Sequence, residues 1–70
     1  MINKFAERLK ELRLEHKLTI KELSKEINIS NACISRWENN LRLPNSESII
    51  TIAKYFNVTS DYLLGLIDYE

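Results

Sequence analysis

Residues 24–36 read SKEINISNACISR, and this stretch decides how the chain folds. One helical pattern ends at Ile27, residues 28–30 interrupt it, and a second helical pattern begins at Asn31. We therefore predict two short helices joined by a three-residue turn. The outer face of the second helix carries small, uncharged side chains, which suits a surface that lies against another molecule.

The length and composition of the chain favour one small helical domain. Seventy residues allow a single compact core, and a domain of this size buries only about 60% of the surface that its unfolded chain exposes. Apolar residues make up 44% of the chain and charged residues 29%, with one Gly and one Pro. Such a composition is typical of a globular, helical protein rather than a disordered or fibrous one.

The rare residue types exclude several kinds of site. The single Cys33 has no partner for an internal disulfide, and one Cys with one His cannot build a metal cluster, so we expect neither metal nor cofactor. The chain has no basic leader before an apolar run, and no uncharged stretch near the ~20 residues of a membrane span. We therefore expect a soluble, cytoplasmic protein that does not bind membranes.

The net charge of zero hides an uneven distribution of charge. Residues 1–44 carry nine Lys or Arg against six Glu, a net charge of +3, whereas residues 45–70 carry Lys54 against four acidic residues, a net charge of −3. The basic excess lies with the segment 24–36. One face of this neutral chain can therefore engage a polyanion, with weaker long-range steering than a strongly basic domain provides.

Helical spacing and capping residues predict five helices and no strands. The first helix covers about residues 4–16, and its apolar stripe consists of Ile2, Phe5, Ala6, Leu9 and Leu12. The other four helices each follow a residue whose side chain can cap the first turn: Thr19, Ser30, Asn45 and Thr59. Thr19 also forms a capping box with Glu22. The second helix then covers residues 20–27, the third runs from 31 to about 39, and the fifth ends at Gly65.

A charged residue among the apolar positions of the first helix predicts a buried ion pair. Arg13 lies on the inward side of that helix, where an unpaired charge costs several kcal/mol on an order-of-magnitude estimate. At 100° per residue, the third helix directs one set of side chains inward: Cys33, Ile34 and Trp37. Glu38 lies at the flank of that set, so it is placed to meet Arg13.

Four stretches of the chain resemble the lambda repressor and Cro-type helix-turn-helix family: FAERLKELR (5–13), LTIKELSKEINIS (18–30), ISRWENNLRLP (34–44) and VTSDYLLG (58–65). The resemblance implies an all-α, five-helix DNA-binding domain over residues 1–65, in which the second and third helices form the helix-turn-helix. It also implies that the third helix enters the major groove. Ser24 occupies the small-residue position where these two helices come closest, and Arg13 with Glu38 matches the family's buried ion pair.

The chain departs from the family pattern at a few positions. Ile20 stands where the family often has a Gln that caps the second helix against a phosphate, so that contact would pass to backbone amides, Thr19 or Lys21. Three asparagines stand where Gly is usual: Asn28, Asn40 and Asn57. Because Asn tolerates a positive φ better than other non-Gly residues, the backbone geometry should be preserved. Lys17 also replaces a frequent Gly, without this advantage.

The outer face of the third helix supplies four candidate base-reading residues: Asn31, Ala32, Ser35 and Arg36. Asn pairs with adenine N6 and N7, the Ala methyl contacts a thymine methyl, Ser donates or accepts, and Arg forms a bidentate pair with guanine O6 and N7. We expect specificity to depend most on Arg36. The alternative for Arg36 is a solvated surface charge, the commoner role of an isolated Arg.

Six further residues are candidate phosphate contacts, because they lie at helix starts or in the segment after the base-reading residues: Thr19, Lys21, Ser30, Asn39, Asn40 and Arg42. Free amides at helix N-termini favour anions. Thr19 and Ser30 can also serve simply as caps, and Lys21 and Arg42 as surface charges that aid solubility.

No group of residues points to catalysis. His16 lies near the end of the first helix, where the helix dipole favours a cation, and no nucleophile or orienting partner accompanies it. Cys33 points toward the core, which favours a role as small apolar filler over a role as an oxidant sensor. We therefore expect a protein that is not an enzyme.

The C-terminal residues 66–70 form a predicted tail. Part of the apolar segment around Gly65 should exceed what this small core can bury, so the tail is a candidate dimer contact or the start of a linker. The apolar residues of this segment are Leu63, Leu64, Leu66, Ile67 and Tyr69. We predict sequence-specific binding of double-stranded DNA by a transcriptional repressor that acts as a homodimer on a two-fold operator. The alternative is a protein-interaction module, such as an antitoxin-like regulatory subunit.

Overall fold

The computed structural model describes residues 4–68, and within that range the chain forms five α-helices and no strand. They are α1 (Phe5–Glu15), α2 (Ile20–Ile27), α3 (Asn31–Glu38), α4 (Ser46–Phe56) and α5 (Ser60–Leu64). The all-α, five-helix prediction is confirmed, and the helix ends lie within about one residue of the predicted ones. Ile2 and Tyr69, which the sequence placed on apolar surfaces, fall outside the described residues. None of the described helices is both long and apolar enough to cross a membrane.

All five helices contribute to one core. Its buried apolar residues are Phe5, Leu9, Leu12, Leu23, Ile27, Ile34, Trp37, Ile52, Ala53, Phe56, Val58 and Leu63. Phe5 of α1 meets Trp37 of α3 edge to face, with ring centroids 5.8 Å apart. The indole N–H of Trp37 has no hydrogen-bond acceptor among the described residues. The core therefore covers the inner side of α3 and leaves its other side uncovered.

Four helices begin with a side chain that accepts a hydrogen bond from the backbone N–H three residues further on. These caps are Thr19, Ser30, Asn45 and Thr59. Thr19 and Glu22 also form the reciprocal half of a capping box, in which the Thr19 N–H donates to Glu22 Oε1 at 2.8 Å. Each cap satisfies an amide that the helix itself cannot pair, so these four starts are fixed by residues already identifiable in the sequence.

All five helices end with the same backbone arrangement. A residue in the left-handed region terminates each one: Lys17, Asn28, Asn40, Asn57 and Gly65, with φ between 57° and 84°. The N–H of the next residue, which is apolar in every case, donates to a carbonyl five residues earlier in the chain. This arrangement satisfies carbonyls at the end of each helix. The three asparagines keep the geometry predicted for them, and Lys17 adopts it without their small polar side chain.

Arg8 holds α5 and the residues after it against α1. Its guanidinium is buried, and Nη1 donates to the carbonyls of Tyr62 at 2.8 Å and Ile67 at 2.7 Å. The guanidinium carbon lies 4.1 Å from the centre of the Tyr62 ring, and Nη2 lies 3.5 Å from an Asp68 carboxylate oxygen. Residues 66–68 therefore pack on the domain through their backbone, while the side chain of Leu66 is 71% exposed.

Candidate nucleic-acid interface

The helices α2 and α3 are joined by the turn 28–30, and hydrogen bonds brace this turn at several points. Asn28 adopts φ 58°, and the Ser30 side chain caps the start of α3. The half-buried Ser24 of α2 accepts a hydrogen bond from the Ile29 N–H through its carbonyl and donates one to the Ile29 carbonyl through its hydroxyl. The position of Ser24 therefore combines the predicted small side chain with a direct bond to the turn.

A buried ion pair attaches α3 to α1. Arg13 Nε donates to Glu38 Oε2 at 2.7 Å, and Nη2 donates to Oε1 at 3.0 Å, which makes the pair bidentate. Arg13 Nη1 also donates to the Leu18 carbonyl at 2.8 Å. The hydrogen bond to Glu38 raises the pKa of the Arg13 guanidinium, and burial opposes that rise. This is the pair that the sequence predicted, and it fixes the C-terminal end of α3 on the core.

The two sides of α3 differ sharply in exposure. Ile34 and Trp37 are almost fully buried, whereas Asn31, Ala32 and Arg36 are exposed on the opposite side. Cys33 and Ser35 lie at the margins and are half-buried. The four candidate base-reading residues therefore share one side of α3, at positions i, i+1, i+4 and i+5.

Arg36 is the free charge on this side of α3. Within residues 4–68 its guanidinium takes part in no hydrogen bond and no salt bridge. By contrast, the two arginines of α1, Arg8 and Arg13, are buried and hydrogen-bonded within the fold. Arg36 therefore keeps all five of its N–H donors available for an external partner.

Asn39, a candidate phosphate contact, is held on α3. Its Nδ2 donates to the Ser35 carbonyl at 2.8 Å and lies 3.4 Å from the Ser35 hydroxyl oxygen. Because a carbonyl can only accept, the amide nitrogen must face the helix. The side chain of Asn39 thus caps the end of α3, and one of the two N–H donors of Nδ2 is committed to the Ser35 carbonyl.

The other five candidate phosphate contacts lie at the starts of α2 and α3 and in the loop after α3. Thr19 and Ser30 occupy the N-caps of α2 and α3, where the first amides of each helix have no partner within the helix. Lys21 is exposed on the first turn of α2. Asn40 and Arg42 are exposed in the loop that follows α3. These positions surround the exposed side of α3 along the chain.

The sequence prediction overlooked Arg8. This residue follows Phe5 by three positions and precedes Leu12 by four, so it lies on the apolar stripe of α1, as Arg13 does. The same spacing argument that found Arg13 would have found Arg8. Its short hydrogen bonds go to two backbone carbonyls, which no sequence pattern indicates, whereas Arg13 forms a bidentate pair with an acidic side chain.

His16 and Cys33 both make contacts within the fold. The His16 ring meets the Phe56 ring edge to face with centroids 4.8 Å apart, and Nδ1 lies 2.9 Å from the Leu12 carbonyl oxygen. Cys33 carries a free, half-buried thiol, and its backbone N–H donates to the Ser30 hydroxyl. His16 therefore packs at the end of α1, and Cys33 belongs to the first turn of α3.

Comparisons with known proteins agree on one family. The family described as "Helix-turn-helix" matches residues 9–63 of the chain. The HTH-type transcriptional activator BcrR of Enterococcus faecalis is 41% identical over 61 residues, which cover 87% of this chain and 30% of BcrR. The chain also spans about half of two Bacillus subtilis regulators, 57% of YobD and 46% of ImmR.

Solved structures show the same fold. The P22 c2 repressor in complex with a synthetic operator superimposes with a TM-score of 0.80 at 33% identity, covering 86% of this chain and 91% of the repressor chain. A transcriptional regulator from Listeria innocua superimposes with a TM-score of 0.86 at 26% identity, covering all of this chain and 65% of the other. The predicted lambda-repressor-like architecture is thus confirmed.

Proposed function

This chain belongs to the helix-turn-helix family, and we propose that it is the sequence-specific DNA-binding domain of a transcriptional repressor, with α3 in the major groove. The observation that carries the proposal is the contrast between the two sides of α3. One side is fixed in the core by Ile34 and Trp37, and the other presents exposed polar and small side chains around a free guanidinium. A family of DNA-binding regulators is not a family of enzymes.

The residues on the exposed side of α3 suit the edges of bases. Arg36 has no partner among residues 4–68, so it can form a bidentate pair with guanine O6 and N7 without first breaking a salt bridge to any of them. Asn31 suits adenine, Ala32 suits a thymine methyl, and Ser35 can donate to an acceptor on a base. These short side chains also allow the helix to approach the base pairs closely.

Positively charged and capping residues supply the contacts that position the domain on the backbone. Lys21 and Arg42 are exposed at the start of α2 and after α3, and both act on phosphate irrespective of sequence. The free amides behind Thr19 and Ser30 favour an anion at two helix starts. Asn40 adds a polar group in the loop, and Asn39 can contribute the second N–H of its side-chain amide. Because duplex DNA is the proposed ligand, we place the protein in the cytoplasm.

We propose that the protein binds its operator as a homodimer. Five large apolar side chains are exposed on the described surface: Leu14, Leu41, Leu43, Ile50 and Leu66. Exposed apolar groups of this size favour association. A two-fold dimer would place the two copies of α3 in successive turns of the major groove, about 34 Å apart.

Selection of bound duplexes from a random pool, followed by fluorescence anisotropy, tests the proposal. We expect an enriched two-fold sequence, and an affinity whose logarithm falls linearly with the logarithm of salt concentration. The alternative function, a protein-interaction module, predicts no enriched sequence. An affinity for DNA that is independent of salt would also contradict DNA binding through this surface, since counterion release accompanies every phosphate contact.

A further inference from the structure

We infer that Ser24 is a positioning residue for α3, whose hydroxyl sets the angle at which α3 leaves the turn and thereby the sequence selectivity of DNA binding. The inference rests on the proposed function and extends it to a residue outside the DNA-facing side. Ser24 is half-buried in α2, and it acts on the DNA only through the turn.

The hydrogen bonds of Ser24 hold both sides of one turn residue. The N–H groups of Asn28 and Ile29 donate to the Ser24 carbonyl, the second at 3.2 Å. The Ser24 hydroxyl then donates to the Ile29 carbonyl at 2.5 Å. The peptide planes before and after Ile29 are therefore both fastened to a single residue of α2.

The second of these planes determines where α3 begins. The Ile29 carbonyl belongs to the peptide unit that ends at Ser30, and this unit is planar, so fixing its oxygen also fixes the entry of the chain into Ser30. Ser30 is the N-cap of α3. A rotation of this plane would therefore tilt the helix that follows.

A small tilt is enough to affect base contacts. Arg36 lies six residues beyond the cap, which is about 9 Å along a helix that rises 1.5 Å per residue. A tilt of about 10° would move it by roughly 1.5 Å, more than the distance range within which a hydrogen bond keeps its strength. Contacts to phosphate tolerate such a shift better, because charge interactions fall off slowly with distance.

The other devices in the turn do not replace this bond. Asn28 sets its own positive φ, and the Ser30 side chain caps the Cys33 amide. Among the described residues, the Ser24 hydroxyl is the donor that reaches the Ile29 carbonyl. An alanine at position 24 would fit the same small space and leave that carbonyl without its donor.

Ser24→Ala tests the inference, with Thr51→Ala as the matched control. Thr51 is also half-buried, and its hydroxyl donates to the Glu47 carbonyl at 3.0 Å on α4, away from the turn. Both variants lose one bond from a hydroxyl to a carbonyl. Affinity is measured on the duplex selected by the wild type and on an unrelated duplex, at a temperature where circular dichroism shows all proteins folded.

We expect Ser24→Ala to lose about tenfold or more in affinity for the selected duplex and less than about twofold for the unrelated one, following the division between base and phosphate contacts. Thr51→Ala should keep both affinities. Ser24→Cys, a side chain of similar size with a weaker donor, should give an intermediate ratio. Amide exchange at Ile29, whose N–H donates to the Ser24 carbonyl, should also be faster in Ser24→Ala than in the wild type or the Thr51 control.

Different results would contradict the proposed function and the role of Ser24. If the wild type prefers no duplex, the proposed function is wrong. If the wild type is selective and Ser24→Ala retains the same ratio of affinities, then Ser24 merely provides space between the helices and the inference is overturned, while the proposed function stands.

Discussion

At the scale of single residues, two arginines of α1 show how this small domain accommodates buried charge. Arg13 uses a bidentate carboxylate and a carbonyl, whereas Arg8 uses two carbonyls and the face of an aromatic ring. Both side chains satisfy several donors, which a buried guanidinium requires. Each arginine attaches α1 to a part of the chain that lies far away in sequence.

Glu38→Ala should destabilise the fold strongly. The Glu38 side chain is 4% exposed, so its loss leaves the Arg13 charge buried without its carboxylate, at a cost of roughly 3–5 kcal/mol. Thermal unfolding would show this cost as a large fall in melting temperature, since 1 kcal/mol corresponds to about 4–8 °C for a domain of this size. Glu47→Ala, at an exposed position on the first turn of α4, is the control and should change little. Equal melting temperatures for Glu38→Ala and the wild type would refute the role of the pair.

Arg36→Ala and Arg42→Ala should affect DNA binding in different ways. Loss of Arg36 should cost about 1–3 kcal/mol on the selected duplex and relax the choice at one base pair, because a bidentate contact to guanine is lost. Loss of Arg42 should weaken binding to all duplexes alike and reduce the salt dependence. Binding curves on the selected duplex and its single-base variants distinguish these results. Identical, sequence-independent losses would remove Arg36 from the base-reading residues.

Sequence reasoning at this scale succeeded where the partners of a residue were side chains or local backbone. The Arg13–Glu38 pair follows from helical spacing, and the three left-handed asparagines follow from the family resemblance, which places them where Gly is usual, together with the conformational preference of Asn. The short hydrogen bonds of Arg8 go to carbonyls that come close only in the folded chain. The orientation of Asn39 is set by a rotamer choice between its own helix and solvent, and sequence does not record that choice.

At the scale of helices, the residues that determine local structure lie mostly at the helix termini. Four starts use a Ser, Thr or Asn cap, and all five ends use one left-handed residue followed by an apolar one. Short helices such as α2 and α3 gain little from propensity alone, so satisfied termini and packing must stabilise them. This regularity explains why the predicted boundaries agree closely with the structure.

Lys17→Gly should stabilise the domain. Lys17 holds φ 57°, which costs a residue with a Cβ roughly 1–2 kcal/mol, and Gly removes that cost while adding freedom to the unfolded chain. We expect a net gain of about 0.5–1 kcal/mol in the free energy of unfolding.

The same substitution within a helix is the control. Lys10→Gly, at an exposed position in α1, should lower the free energy of unfolding by about 1 kcal/mol, because Gly is a poor helix former. Urea unfolding of both variants beside the wild type measures the two effects. Destabilisation by Lys17→Gly would mean that the lysine side chain contributes contacts that outweigh its backbone strain.

The turn between α2 and α3 was only partly predictable at this scale. The sequence indicates a small residue at position 24, a positive φ at position 28 and a cap at position 30. It does not indicate that the Ser24 hydroxyl reaches the Ile29 carbonyl, because that contact depends on the course of the backbone through the turn. The sequence therefore accounts for the small size of residue 24, and only the structure accounts for the role of its hydroxyl.

At the scale of the whole molecule, the last described residues belong to the domain. The sequence predicted a tail from residue 66, and Arg8 fastens the backbone at Ile67 to α1. Gly65 permits this path, since its φ is 84° and a side chain there would lie within 3.0 Å of the Lys4 side chain. The path of residues 66–68 is therefore fixed relative to α1.

Arg8→Ala should loosen this connection. It removes hydrogen bonds from a charged donor to two carbonyls, and each such bond contributes about 1.5–3 kcal/mol to stability. It also removes the contact to the Tyr62 ring. Amide exchange should become faster in α5 and at residues 66–68, and the urea midpoint should fall. Lys10→Ala, a loss of exposed charge on the same helix, is the control. Unchanged exchange at residues 66–68 would show that Arg8 does not hold this segment.

The buried indole of Trp37 makes the packing of α3 observable by fluorescence. Trp37 is the only tryptophan of the chain, and it packs against Phe5 with its N–H away from any acceptor in residues 4–68. Such an indole should emit at short wavelength, and its emission should shift to the red when water reaches it. Because Trp37 lies on the inner side of α3, the intrinsic fluorescence of the protein reports the seating of α3 on the core without any added label.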